Sequence, residues 1–219
     1  MNLNILYEDN HIIVVEKEPN IPVQLDESND LDLQTIIKNY IKEKYDKPGN
    51  VYLGLVHRLD RPVGGIMVFA KTSKAANRLS KSISSHEFKK EYLAIIEGKL
   101  NNSGKLENYL GRNGKKAFVT TKEKGKYSLL EYNVIDIKDK LNLVKIDLKT
   151  GRHHQIRVQF ANIGFPLYGD QLYGKNDKQQ IALFAYKITF IHPTTKEIME
   201  FKLVPKYGVF KQFNISEVL

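Results

Sequence analysis

Short β-rich runs joined by turns, rather than long helical stripes, dominate this sequence. Residues 5–17 read ILYEDNHIIVVEK, two such runs flanking Glu8-Asp9-Asn10, which predicts a hairpin. The apolar runs VYLGLV and IMVFA enclose the polar loop HRLDRPVGG, a strand–loop–strand pattern over 51–70. Residues 91–97, 127–137 and 143–148 also read as strands. In the last, Val144, Ile146 and Leu148 alternate with Lys145 and Asp147 at period two. LFAYKITFI and IMEFKLV close the chain in the same manner.

Helical periodicity is confined to three segments. Leu33, Ile36, Ile37, Tyr40 and Ile41 form one apolar stripe over 31–43, with Asn29 or Asp30 as the N-cap. Thr72 or Ser73 opens a second helix running to about His86, with Ala75, Ala76, Leu79 and Ile83 inward. Ile156, Phe160 and Ile163 space a third over 153–163, and Gly164 follows as a C′ residue. Strands in hairpin succession predict an α+β fold with a mixed, largely antiparallel sheet flanked by helices. No repeat or composition break appears, so residues 1–219 are expected to form a single domain.

Composition narrows the function classes. Hydrophobic residues are 42% of the 219, too many for a mainly disordered chain. The absence of cysteine excludes disulfides and thiolate metal sites. No apolar stretch approaches the ~18 residues of a membrane span, so a cytoplasmic protein without a membrane partner is expected. Lys and Arg number 34 against 25 Asp and Glu, a net +9 that attracts polyanions.

Four clusters carry chemistry. HRLDRPVGG packs His57, Arg58, Asp60 and Arg61 between two apolar strands, with Gly64 and Gly65 freeing the backbone. A carboxylate between arginines favours its charged form, which suits a nucleophile better than a general acid. An ordinary ion pair at a turn is the plain alternative. In Thr150-Gly151-Arg152-His153-His154-Gln155-Ile156-Arg157, a helix start and two arginines suggest an anion site. His153 and His154 diverge by about 100° on a helix and have no third ligand nearby, so no metal is expected. Lys90-Glu91-Tyr92 places a tyrosine in a strand. RNGKKAFVTTKEKGK over 112–126 is a basic strip that fits a phosphate backbone or a solvated hairpin.

Together these segments resemble the RluA family of RNA pseudouridine synthases, in the family's order. HRLDRPVGGIMVFAKT resembles its catalytic-loop motif HRLDxxTSG, and KEYLA the segment with its active-site tyrosine. TGRHHQIRVQFANIGFPLYGDQLYG resembles TGRxHQIRxHxxxxGxPIxGDxxYG, and LFAYKITFIHP the C-terminal LxAxxLxFxHP. ILYEDNHIIVVEKEPN resembles the family's opening, which prefers Lys-Pro-x-Gly where this chain has Lys17-Glu18-Pro19-Asn20.

The resemblance implies an isomerase that turns uridine in ribosomal or transfer RNA into pseudouridine, without cofactor or metal. It implies Asp60 as nucleophile and Arg58 as the residue entering the RNA helix where a uridine flips out. It implies Tyr92 as proton acceptor, Arg157 as partner of Asp60, and Leu183 as an apolar wall for the uracil. His57, Arg61 and Arg152 are the remaining substrate-binding candidates. The resemblance also implies that residues 1–219 are one catalytic domain, without the small N-terminal RNA-binding domain of many members; the expected partner is RNA and not DNA, and a monomer is expected. Val63-Gly64 replace the family's Thr-Ser, which puts loop rigidity in question and supports a competing reading, an RNA-binding protein on this scaffold without catalysis. Gln159 stands where the family often has His. A hydrolase is disfavoured, since neither G-x-S-x-G nor H-E-x-x-H occurs.

Overall fold

The computed structural model describes residues 3–175 and 177–218, Val218 by its backbone alone. Eleven strands and four helices are present among them: β1 (Ile5–Glu8), β2 (Ile12–Lys17), α1 (Leu33–Lys44), β3 (Gly54–Leu55), β4 (Gly64–Ala70), α2 (Ser73–Ser84), β5 (Lys89–Glu97), β6 (Ser103–Asn113), β7 (Lys116–Thr120), β8 (Lys126–Lys138), β9 (Leu141–Leu148), α3 (Gln155–Asn162), β10 (Leu183–Ile191), β11 (Ile198–Lys202) and α4 (Ile215–Val218). A 3₁₀ turn covers Gly208–Gln212. The chain divides into two compact units, residues 1–88 with 187–203, and residues 89–186 with 204–219. No helix among the described residues is long and apolar enough to cross a membrane.

In the first unit the strand order is β1-β2-β4-β10, with β11 on β10 and β3 on β4. The predicted hairpin forms because Asp9 Oδ1 accepts the amides of His11 and Ile12 at 2.7 and 2.8 Å, closing the turn. All seven residues of β4 are buried, as befits a central strand. Ile12, Val14, Ile66 and Val68 form a core with Leu79, Phe88, Ile188 and Phe190, and Ala76 and Ile83 pack on it partly buried. Helix α1 starts later than the sequence suggested. Its cap is Asp32, whose Oδ1 accepts from the Thr35 amide at 3.0 Å, not Asn29 or Asp30. Asn29 is left-handed at φ 58° and Asp30 is tied to Arg61, so neither reaches the helix start. Thr72 caps α2 as expected.

In the second unit the order is β10-β5-β9-β8-β6-β7, with β5–β9–β8–β6–β7 antiparallel. The register Tyr92↔Ile146 and Ala94↔Val144 follows the buried face of β9. Helix α3 is shorter than its apolar spacing implied. His154 takes a left-handed φ of 51° as its N-cap, and Gly164, at φ 83°, ends it as a C′ residue. Every residue from Gln155 to Phe160 is buried, so α3 is a core helix.

Candidate active site residues

The candidate residues form two groups, one in each unit. In the first, Asp60 is half-buried in the loop between β3 and β4. Its carbonyl accepts the Val63 amide at 2.9 Å, a tight turn that aims the chain into β4. Gly65 has φ 133°, a conformation that side chains disfavour, which explains a glycine there. Leu59 is buried and Arg58 exposed, so the loop alternates anchor and projecting group. The Arg58 guanidinium has no hydrogen-bond or ion-pair partner among the described residues. His57 is engaged locally. Its Nε2 accepts the Val68 amide at 3.1 Å, and its ring lies 5.3 Å from that of Phe88.

The Arg61 guanidinium turns to the loop before α1. It reaches Ser28 Oγ at 2.8 Å, Asp26 at 3.5 Å and Asp30 in a shorter contact, fastening the exposed acidic loop before α1. The Arg61 guanidinium holds the Asp30 carboxyl below the usual range, and the Ser28 hydroxyl and amide do so for Asp26. The sequence placed Arg61 among substrate-binding candidates without anticipating this tether.

In the second unit, Tyr92 sits on β5 and is 7% exposed. Leu183 opens β10 and is buried. Arg157 projects from α3 into a bidentate pair, Nε to Asp170 Oδ2 and Nη2 to Oδ1, both 2.8 Å. Its guanidinium also lies 5.3 Å from the centre of the Tyr173 ring. Burial pushes the Asp170 carboxyl up, but Arg157 and the amides of Leu172 and Tyr173 outweigh it and hold the group below 3.8.

The expected anion site at the start of α3 is differently organised. Gln155 Oε1 accepts from the Arg152 amide at 3.0 Å and the Thr150 hydroxyl at 2.8 Å, and Thr150 Oγ1 accepts the Leu129 amide at 2.8 Å. Arg152 is exposed and its Nε donates to the Tyr127 carbonyl at 3.0 Å. The His153 and His154 rings stack at 3.8 Å, and His154 Nδ1 meets the Tyr173 hydroxyl at 2.9 Å.

A family profile described as RNA pseudouridylate synthase matches residues 11–162, which hold Asp60, Tyr92 and Arg157. The chain belongs to this family. An RNA pseudouridine synthase of Bacillus subtilis (strain 168), YhcT, described as uncharacterized, is 36% identical over 207 residues, covering 90% of this chain and 67% of that protein. Ribosomal large subunit pseudouridine synthase D of Buchnera aphidicola subsp. Schizaphis graminum is 33% identical over 217 residues, 90% of this chain and 68% of that one. This chain thus spans about two thirds of those relatives. Among solved structures, human RNA pseudouridylate synthase domain containing 1 superposes with a TM-score of 0.74 at 25% identity, covering 92% of this chain and 83% of that one. Human RNA pseudouridylate synthase domain containing 4 shares the fold, with a TM-score of 0.80 at 18% identity over 94% and 90% of the two chains. The RluA resemblance and the α+β pseudouridine synthase core read from the motifs both hold.

Within this pseudouridine synthase fold, three residues escaped the sequence reading. The first is Lys17, fully buried at the end of β2. Its ammonium donates to the carbonyls of Glu18, Arg61 and Val63 at 3.1, 2.8 and 2.7 Å. The Asn20 amide adds a bond to the Arg61 carbonyl at 2.8 Å, and Asn20 holds the left-handed φ of 68° that suits the usual glycine. The loop from His57 to Val63 is therefore braced through its backbone, and the Val63 side chain is 2% exposed. Loop order here rests on these bonds rather than on the hydroxyls that Val63-Gly64 lack. The second is Asp170, described above. The third is Lys90, two residues from Tyr92 on the same face of β5. Burial lowers its pKa, and its Nζ lies 3.0 Å from where a side chain on Gly151 would begin. The only advance signal was each residue's place inside a family motif. Gln159, where the family often has His, ties α3 to β6 by donating to the Leu106 carbonyl at 3.1 Å and to Asn108 Oδ1 at 2.9 Å.

Lys17 carries a testable cost. Burial pulls its pKa down from 10.5 to about 7, partly countered by the nearby Asp60 charge. The folded-state value is depressed, so the penalty for burying the charge is fully present below about 7 and is relieved as pH rises toward 10.5. Lys17→Met leaves three carbonyls without their donor and should cost about 2–4 kcal/mol in urea unfolding at pH 7. The wild-type advantage over Lys17→Met should widen by about 2 kcal/mol between pH 7 and 9. A constant difference across that range would rule out a titrating Lys17.

Proposed function

We propose that this chain isomerises specific uridines of structured RNA to pseudouridine, with ribosomal RNA as the first substrate to test. The carrying observation is that Asp60, Tyr92 and Arg157 all lie within the residues 11–162 that the family profile matches. The relatives named as ribosomal large subunit synthases support ribosomal RNA over transfer RNA.

In this reading the target uridine leaves its stack, at a cost of about a few kcal/mol. Arg58, exposed and without a protein partner among the described residues, fills the vacated place and offsets part of that by stacking. The Asp60 carboxylate acts as nucleophile, bonding to C1′ and released again when C5 bonds there. The N1–C1′ bond breaks, the uracil turns against Leu183, and C5 bonds to C1′. The hydrogen on C5 leaves as a proton accepted by Tyr92, and N1 gains one. No oxidant, reductant or metal enters the balance.

Because the C5 hydrogen is lost to water, RNA carrying tritium at uridine C5 reports the reaction. Incubation of ribosomal RNA transcripts with the purified chain should release tritium in step with pseudouridine formation. Release of free uracil, or tritium retained at long times, would refute the assignment.

A further inference from the structure

The β6–β7–β8 part of the second unit buries one face, including Leu106, Leu110, Ala117 and Leu130. Its other face is aromatic. Phe118 stands opposite Gly111, and Tyr109 stands opposite both Thr120 and Tyr127. Side chains alternate along a strand and directly paired residues share a face, so Phe118, Tyr109, Tyr127 and Lys116 all point outward. Phe118 is 45% and Tyr127 38% exposed. The Phe118 ring lies across Gly111, where an added Cβ would come within 2.8 Å of it. The Tyr109 and Tyr127 rings meet edge-on at 5.8 Å. Three rings thus step across three strands, with Phe118 and Tyr127 about 10 Å apart in the sheet direction, two interstrand spacings.

Lys116 lies on this outer face with the Lys105–Glu107 pair, and the Tyr127 hydroxyl donates to Glu107 at 2.9 Å, whereas Arg112 and Lys126 stand opposite Ala117 and Leu110 on the buried face. Arg112, Lys115, Lys116, Lys122, Lys124 and Lys126 are all exposed, and Glu123 is the single acidic residue from 112 to 126. Strand β7 is the terminal strand of the order, and lysine on an edge strand guards against edge pairing. That explains Lys116 but not outward aromatic rings. The centres of protein–protein interfaces are depleted in lysine, unlike the strip over 112–126. Outward rings beside a strip of cations match the two parts of a nucleotide, a π-face and a phosphate.

We infer that the outer face of β6, β7 and β8 receives unpaired nucleotides of the RNA substrate, bases stacking on Phe118 and Tyr127 and phosphates on the basic strip. This rests on the reading of RNA as substrate and adds where unpaired RNA is held. Duplex RNA buries its base faces and is a poor occupant.

The chain contains no tryptophan, so Phe118→Trp supplies a single local reporter. Its emission should be quenched by an oligouridylate of about 12 nucleotides and far less by an RNA duplex of similar length. Phe118→Ala with Tyr127→Ala should weaken oligouridylate binding by about 10-fold or more, with the thermal midpoint unchanged. Unquenched emission, equal quenching by duplex, an affinity within about twofold of wild type, or self-association through this face in place of RNA binding would each overturn the inference. Tritium release by the wild-type chain is read separately. Quenching without isomerisation leaves this surface standing and removes the proposed function; isomerisation without quenching does the reverse.

Discussion

Asp60→Ala should lose pseudouridine formation by at least about 10⁴-fold, with unfolding free energy within about 1 kcal/mol of wild type. The two halves of this expectation have separate causes. The Asp60 side chain is half-buried, whereas the turn it sits in is built from main-chain groups: its own carbonyl to Val63, and the Lys17 ammonium to Arg61 and Val63. Alanine keeps all of these. What alanine removes is the carboxylate, and no neighbouring acid can substitute, because Asp26 and Asp30 are committed to Arg61. Asp60→Asn tests charge apart from shape and should be equally inactive, since a neutral amide is a poor nucleophile. Substantial activity in either variant would remove Asp60 from the chemistry.

Asp170→Ala should be the most damaging change to stability in the second unit, costing about 3–5 kcal/mol. The Arg157 and Asp170 side chains are 7% and 0% exposed. Deleting the carboxylate strips two charge-assisted bonds from a buried guanidinium and one acceptor from the amides of Leu172 and Tyr173. Asp170→Asn keeps the shape and an acceptor and should cost about half as much. The folded Asp170 carboxyl is held below its ordinary 3.8, so its stabilisation is present above that value and is lost as pH falls through the depressed one. The gap between wild type and Asp170→Asn should therefore close on acidification below 3.8. A gap independent of pH would mean that the charge of Asp170 contributes nothing. Under the proposed function Asp170 is a positioning residue for Arg157, so turnover should fall in Asp170→Asn even at temperatures where the fold is intact.

The parts of this fold that were legible came from periodicity and turn chemistry. Strand β9 alternates strictly, and Thr72 announces α2. Strand β6 was not recognised, because its buried face includes Asn108, a polar residue satisfied by Gln159 some fifty positions on, and its outer face includes Gly111. The cap of α1 was misplaced because Asn29, Asp30 and Asp32 are all good caps, and only the tether of Arg61 to Asp30 decides among them. Among site residues, Asp60, Tyr92 and Arg157 were readable from motifs. Lys17 and Asp170 were not, since a buried charge looks like a surface charge until its distant partners are known. Lys17 finds its acceptors 44 and 46 residues away.

The most direct test of the account is nucleoside analysis of an unmodified ribosomal RNA transcript after incubation with the purified chain. Pseudouridine should appear at discrete positions in wild-type reactions, matched by an equal loss of uridine, and be absent with Asp60→Ala. Unchanged uridine with the folded wild-type chain, or equal product from the variant, would contradict it.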